Sequence, residues 1–180
     1  QKGEDVWVSG RILSVDGKPI PHALLDIWQA KADGIYDLQT GGEFELRGRV
    51  KANEKGEYAF ASYKPKFYSV PMDGPVGELI RATTNDHMRP AHMHAIVSAP
   101  GYQQVITHVF VEGDPHLDGD AVFAVKDSLV GKYKKVNNAE EAKKLGMPNP
   151  FLKLSWDFRL APEKKGLKAR KKIAASDALA

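Results

Sequence analysis

Arg89-Pro90-Ala91-His92-Met93-His94 is the stretch of this chain best suited to gripping a metal ion. In extended backbone, residues two apart share a face, roughly 6.6 Å apart at about 3.3 Å per residue. His92 and His94 can therefore converge on one ion from a single strand. Pro90 has no N–H and drives Arg89 towards extended geometry, so a strand is expected here and not a helix. Surface or packing histidines also produce such pairs, so the partners decide. Six histidines are available: His22, His87, His92, His94, His108 and His116. Adding His87 to the pair would make a three-histidine zinc site. Zinc leaves two tyrosines unexplained. Tyr36 directly follows a turn and Tyr68 sits in a Pro- and Gly-rich loop, where functional residues concentrate. Tyr58 and Tyr63, in or beside a strand, read as packing aromatics.

Composition narrows the chemistry. With 180 residues the chain is expected to be one domain with a real core. It has no cysteine, so disulfides and thiolate ligands are excluded and a metal must be held by His, Tyr and carboxylates. That absence fits a cytoplasmic protein. No apolar run approaches the ~20 residues of a membrane span, and no signal peptide opens the chain. It starts at Gln1 and not at methionine, as a fragment or processed chain would. The net charge of +3 is uneven. The last twenty residues hold six basic side chains against Glu163 and Asp177, whereas the first 160 hold 20 basic and 21 acidic. A nucleic-acid footprint belongs on the folded body, so residues 161–180 read as a solvated basic tail and no nucleic-acid partner is expected.

Short strands with Gly-containing turns must position these residues. Val6 to Val15 and Ala23 to Trp28 read as strands around the turn Asp16-Gly17-Lys18-Pro19. Both faces of the second are largely apolar, which predicts cover on both sides. Phe44 to Val50, Glu57 to Ala61, His92 to about Val97 and Val105 to Val111 continue the pattern. Lys64 to Pro75 is loop-like, and Phe151 to Leu160 alternates as one closing strand. Ala139 to Leu145 is a short helix, with Asn138 as N-cap and Gly146 as C′ residue. The expectation is an all-β sandwich with long loops and one short helix.

Several motifs then stand in order: Asp26-Ile27-Trp28-Gln29-Ala30, Gly34-Ile35-Tyr36-Asp37 and Leu46-Arg47-Gly48-Arg49. Tyr68 to Gly77, Arg89 to His94 and Asp120 to Leu129 complete the set. Together, from about residue 6 to 160, they resemble the intradiol ring-cleaving dioxygenases, the catechol and hydroxyquinol 1,2-dioxygenase group. The resemblance implies a catalytic sandwich over residues 1–160 that cleaves an aromatic diol with O2. It implies Tyr36, Tyr68, His92 and His94 as ligands of a non-haem Fe(III). Phenolate is a hard anionic donor suited to a ferric ion, with imidazole as a neutral partner. Tyr68 would leave the iron and take a substrate proton while Tyr36 stays bound. Arg89 would stabilise developing charge, the alternative being a structural salt bridge.

His108, where the catechol branch usually has Gln, points to the trihydroxybenzene branch, as does Tyr36-Asp37-Leu38-Gln39. The implied substrate is hydroxyquinol, cleaved to maleylacetate, with catechol or chlorocatechol giving muconates as the alternative. His108 could hydrogen-bond a bound oxygen or merely fill its strand, and Phe123 and Ala124 could wall the pocket or pack the core. Family members generally carry an N-terminal helical region that dimerises, so a homodimer is compatible with the resemblance. Two other classes remain open: a non-catalytic β-sandwich binding module, and a zinc hydrolase built on His87 that has no use for the tyrosines.

Overall fold

The computed structural model describes residues 3–41, 43–83 and 86–163. The basic tail from residue 164 onward lies outside the described residues. Among the described residues twelve strands occur in the order β1 (Asp5–Ser14), β2 (Leu24–Gln29), β3 (Arg47–Lys51), β4 (Glu57–Tyr63), β5 (Tyr68–Ser69), β6 (Met88–Arg89), β7 (His92–Ser98), β8 (Val105–Val111), β9 (Val130–Gly131), β10 (Lys134–Val136), β11 (Phe151–Ser155) and β12 (Phe158–Leu160). Two α-helices interrupt them among the same residues, α1 (Pro75–Thr83) and α2 (Ala139–Leu145). No helix among the described residues is long and apolar enough to cross a membrane.

The strands form a β-sandwich. One sheet runs β10-β11-β1-β12, with β4 also paired to β1; the other runs β3-β2-β7-β8-β9. Side chains alternate across a pleated strand, and the two inner faces meet in the core. Val6, Val8 and Ile12 of β1, with Leu152, Leu154, Phe158 and Leu160, contribute from the first sheet. Leu25, Met93, Ala95, Val97 and Val109 contribute from the second, all fully buried or nearly so. Each of these side chains larger than alanine contributes about 1.5–3 kcal/mol by leaving water.

Because Met93, Ala95 and Val97 point inward, His92 and His94 must point outward. The histidine pair therefore stands on the outer face of the second sheet. On β2 the same alternation buries Leu25 and leaves Leu24, Asp26 and Trp28 half-buried on the outer side, so its cover is one-sided and not the two-sided cover expected.

Strand β3 begins at Arg47 where Phe44 was expected, β5 lies inside the expected loop Lys64 to Pro75, and two larger differences stand out. Helix α1 follows the loop after Tyr68 and makes a second helix where one was expected. Pro75 opens it, where a missing N–H costs nothing. Gly77, a poor helix former, sits where any Cβ would run into the Met72 carbonyl, and Ile80 anchors the buried side. A Pro and a Gly within three positions mask the helical period. The closing strand is split in two. β11 and β12 both run parallel to β1, with Val6 opposite Leu152 and Ile12 opposite Phe158. Between them Asp157 turns its side chain onto β1 and accepts the Arg11 backbone N–H at 2.8 Å. Helix α2 matches its expected caps: the Asn138 side chain accepts from the N–H groups of Glu140 and Glu141, and Gly146 adopts φ +66°.

Candidate metal centre

His92 is fixed most tightly. It is 1% exposed, and its Nδ1 lies 2.7 Å from the Pro90 carbonyl oxygen. A carbonyl only accepts, so Nδ1 carries the proton and Nε2 keeps its lone pair. That lone pair lies 3.1 Å from Nε2 of His94, two residues along β7. His94 is held flat by Trp28, its register partner on β2, with ring centroids 4.5 Å apart and planes within 4°.

The tyrosines arrive from loops. Lys31 to Gly34 form a turn in which the Gly34 N–H donates to the Lys31 carbonyl. Gly34 takes φ +83°, and a Cβ there would crowd the Phe67 carbonyl at 3.1 Å and Tyr68 Cβ at 3.3 Å. Glycine thus allows the Tyr36 loop to lie directly on the Tyr68 loop. Beyond it, Gln39 Oε1 accepts the Tyr36 N–H at 2.8 Å. Buried Asp37 accepts from Nε and Nη2 of Arg47 at 2.7 and 2.8 Å and from the N–H groups of Leu38 and Glu45. The Arg47 hydrogen bonds hold its carboxyl down at about 2. Tyr68 comes from β5, which pairs with β6, the strand carrying Arg89.

Four donor atoms meet. Tyr36 Oη is 3.0 Å from His94 Nε2, 3.5 Å from His92 Nε2 and 3.3 Å from Tyr68 Oη. Ligands about 2.0–2.1 Å from a tetrahedral ion are separated by roughly 3.3 Å, so these spacings match a coordination polyhedron. Burial disfavours charge throughout the cluster. Desolvation, then the nearby Arg89, takes His92 down to about 3; desolvation, then His92, takes His94 down to about 2. Both are therefore neutral imidazoles at ordinary pH, the form that binds metal. Burial, reinforced by the Tyr68 hydroxyl, pushes the Tyr36 phenol upward. Only a strong Lewis acid would deprotonate it.

His108 faces His94 across β7 and β8, with ring centroids 4.6 Å from His94 and 5.0 Å from His92. The three histidines can each offer an atom within 4.8 Å of the others, so the chain carries a cluster capable of holding a metal. His87, the third histidine of the zinc alternative, is exposed and outside that cluster.

Arg89 is 7% exposed. Its Nη1 lies 3.2 Å from His92 Nε2 and 3.5 Å from Tyr68 Oη. Its Nε donates to Asp120 at 3.0 Å. Burial alone would lower the Arg89 pKa, but the Asp120 hydrogen bond and surrounding charge raise it, so the cation persists. Phe123, at 77% exposure, packs in no core; Ala124 is half-buried. Trp28, Asp37, Arg47 and Asp120 support the cluster and were not singled out from sequence. A Trp two residues along the strand from Asp26, and aspartates beginning loop motifs, were the signals present.

The Dioxygenase family matches residues 1–162 of this chain. Hydroxyquinol 1,2-dioxygenase of Rhizobium sp. (strain MTP-10005) is 47% identical over 164 residues, 89% of this chain and 56% of that protein. The crystal structure of hydroxyquinol 1,2-dioxygenase from Pseudomonas putida DLL-E4 superposes with a TM-score of 0.81 at 41% identity, covering 91% of this chain and 58% of that one. Catechol 1,2-dioxygenase from Acinetobacter sp. ADP1 gives a TM-score of 0.85 at 31% identity, over 92% of this chain and 55% of that one. The chain spans about half the length of the curated relatives it matches. Sequence and backbone together agree across the whole sandwich: this chain belongs to the intradiol ring-cleavage dioxygenase family.

Proposed function

We propose that this sandwich is the catalytic part of a ferric intradiol dioxygenase whose preferred substrate is hydroxyquinol. The observation that carries the proposal is the meeting of two phenol oxygens and two imidazole nitrogens at 3.0–3.5 Å. A set of two hard oxygen and two nitrogen donors, with no thiolate, suits Fe(III). Tyr36, Tyr68, His92 and His94 would hold it. When bound, ferric iron would supply Lewis acidity that makes the diol reactive towards O2.

The residues divide the remaining work. His92 is kept in one tautomer by the Pro90 carbonyl, and His94 in one orientation by Trp28. Tyr36 is held by the Gln39 contact and the neighbouring Asp37–Arg47 pair, and stays a ligand. Tyr68, on a two-stranded ribbon, takes the proton of one diol hydroxyl at Oη. Arg89 presents a fixed positive charge towards the same place, stabilising negative charge that develops as the ring opens. The bond between the two hydroxyl-bearing carbons breaks, both atoms of O2 enter the product, and hydroxyquinol becomes maleylacetate with no outside reductant.

His108 supports the trihydroxybenzene preference, since a half-buried imidazole beside the metal ligands can hydrogen-bond a further ring hydroxyl. Greater identity to the hydroxyquinol enzyme than to the Acinetobacter catechol enzyme supports it too. Oxygen uptake by the iron-loaded, wine-red protein tests it across hydroxyquinol, catechol and chlorocatechol. Faster turnover of catechol than of hydroxyquinol would reverse the substrate assignment, and a colourless protein after ferric loading would end the iron one.

A further inference from the structure

Building on the ferric site proposed above, we infer that Asp120 is a positioning residue: it selects which edge of the Arg89 guanidinium faces the ligand cluster and ties that charge to the loop bearing Phe123. The Asp120 side chain is 2% exposed and accepts four hydrogen bonds. Oδ1 takes Nε of Arg89 at 3.0 Å and the Val122 N–H at 3.4 Å; Oδ2 takes Nη2 at 3.5 Å and the Ala124 N–H at 2.9 Å. A guanidinium is a rigid planar fork. With its Nε/Nη2 edge on Asp120, the remaining nitrogen, Nη1, is the one turned towards Tyr68 Oη and His92 Nε2.

Asp120 also shapes the next four residues, through its carboxylate at Val122 and Ala124 and its backbone carbonyl at Phe123. The Phe123 N–H donates to the Asp120 carbonyl at 2.9 Å, and Phe123 takes φ +53°, a left-handed conformation costly for a bulky side chain. The Ala121 N–H reaches back to the Met88 carbonyl on β6, the strand that carries Arg89. Charge and loop thus share one anchor with every acceptor position used. An amide in its place offers one acceptor oxygen and an NH2, so it keeps at most one of the two arginine bonds and one of the two loop bonds, and turns a donor towards the others.

Three iron-loaded variants test this: Asp120→Asn, Arg89→Gln and the double substitution. Each single change should lower kcat by ~10²-fold, and the double variant should be no slower than Arg89→Gln alone, as for residues acting as one unit. Losses that multiply in the double variant would overturn the inference. Asp120→Asn should also shift the phenolate-to-iron absorption band, because Arg89 Nη1 no longer addresses Tyr68. An unmoved band with unchanged KM would overturn it as well. A readout independent of iron is phenylglyoxal labelling of the full chain mapped by mass spectrometry. Labelling of Arg89 should rise ~10-fold in Asp120→Asn, since a buried cation that loses its partner seeks water. Unchanged labelling refutes the anchoring even if the wild-type protein proves inactive. Should Asp120→Asn fail to fold, Asp120→Glu keeps the charge but displaces the fork by one methylene. It should fold and lose about tenfold in kcat, a transition-state effect of ~1.4 kcal/mol; wild-type kcat there sinks the proposal.

Discussion

Tyr68 and Arg89 stand directly opposite each other on the two-stranded ribbon β5–β6, and Arg89 Nη1 lies 3.5 Å from Tyr68 Oη. The residue assigned to accept a proton and the residue assigned to balance charge are thus cross-strand neighbours. They sit on a small unit outside both main sheets. If Tyr68 leaves the proposed iron and returns, such a ribbon would carry it better than the core sheet that holds the histidines.

Tyr68→Phe should retain iron through Tyr36, His92 and His94 yet lose ~10²–10⁴-fold in kcat, the usual worth of a positioned acid or base. Tyr36→Phe should lose iron itself. Metal content and the visible spectrum distinguish the two, and wild-type turnover by Tyr68→Phe would remove Tyr68 from the mechanism.

His108→Gln should keep the ferric colour, because His108 is not among the four ligands proposed for the iron. Its effect should fall on substrate choice. The ratio of kcat/KM for hydroxyquinol over catechol is expected to drop ~10-fold, the worth of one hydrogen bond to a ring hydroxyl. An unchanged ratio assigns His108 to packing alone.

The metal-free chain should be acid-sensitive. Burial holds His92 near 3 and His94 near 2, against an ordinary value of 6.5. Between about pH 3 and 6.5 the unfolded chain therefore binds protons that the folded chain refuses. Stability rises with pH across that window and is fully present above it. For the fully buried His92 the loss approaches ~1.4 kcal/mol per pH unit below 6.5. Melting temperatures from pH 4 to 8 check this; a flat profile below 6.5 contradicts it, and His92→Gln should flatten the slope.

Asp37→Asn should loosen the loop that carries Tyr36. It removes the charge from a buried carboxylate holding a two-pronged Arg47 contact and two loop amides. The expected cost is about 2–4 kcal/mol in stability. Thermal melting reads that cost, and equilibrium iron loading should weaken in parallel. A variant as stable as wild type would make the pair ornamental.

The sandwich and helix α2 were legible because their signals are local. Strands alternate with period two, Gly-containing turns separate them, and Asn138 and Gly146 bracket the helix. His92 and His94 were legible as a pair for the same reason: same-face spacing is a property of one strand. Helix α1 was hidden because Gly77 serves a close contact with Met72 at the expense of helix propensity. The break between β11 and β12 was hidden because Asp157 replaces a backbone partner with its side chain, which alternation does not reveal. Asp120 and Trp28 act across long separations in the chain, on Arg89 and His94, and their partners are fixed only by the folded topology.

One strand, β7, carries the core residues Met93, Ala95 and Val97 on one side and both imidazoles on the other. Sliding that strand by a single position against β2 and β8 would bury both rings in oil and turn methionine and alanine towards the tyrosines. The phenols and the guanidinium, carried by loops and a ribbon, escape that constraint. New chemistry is therefore most readily grafted by rebuilding the loops, whereas the pairing register of β7 must stay untouched.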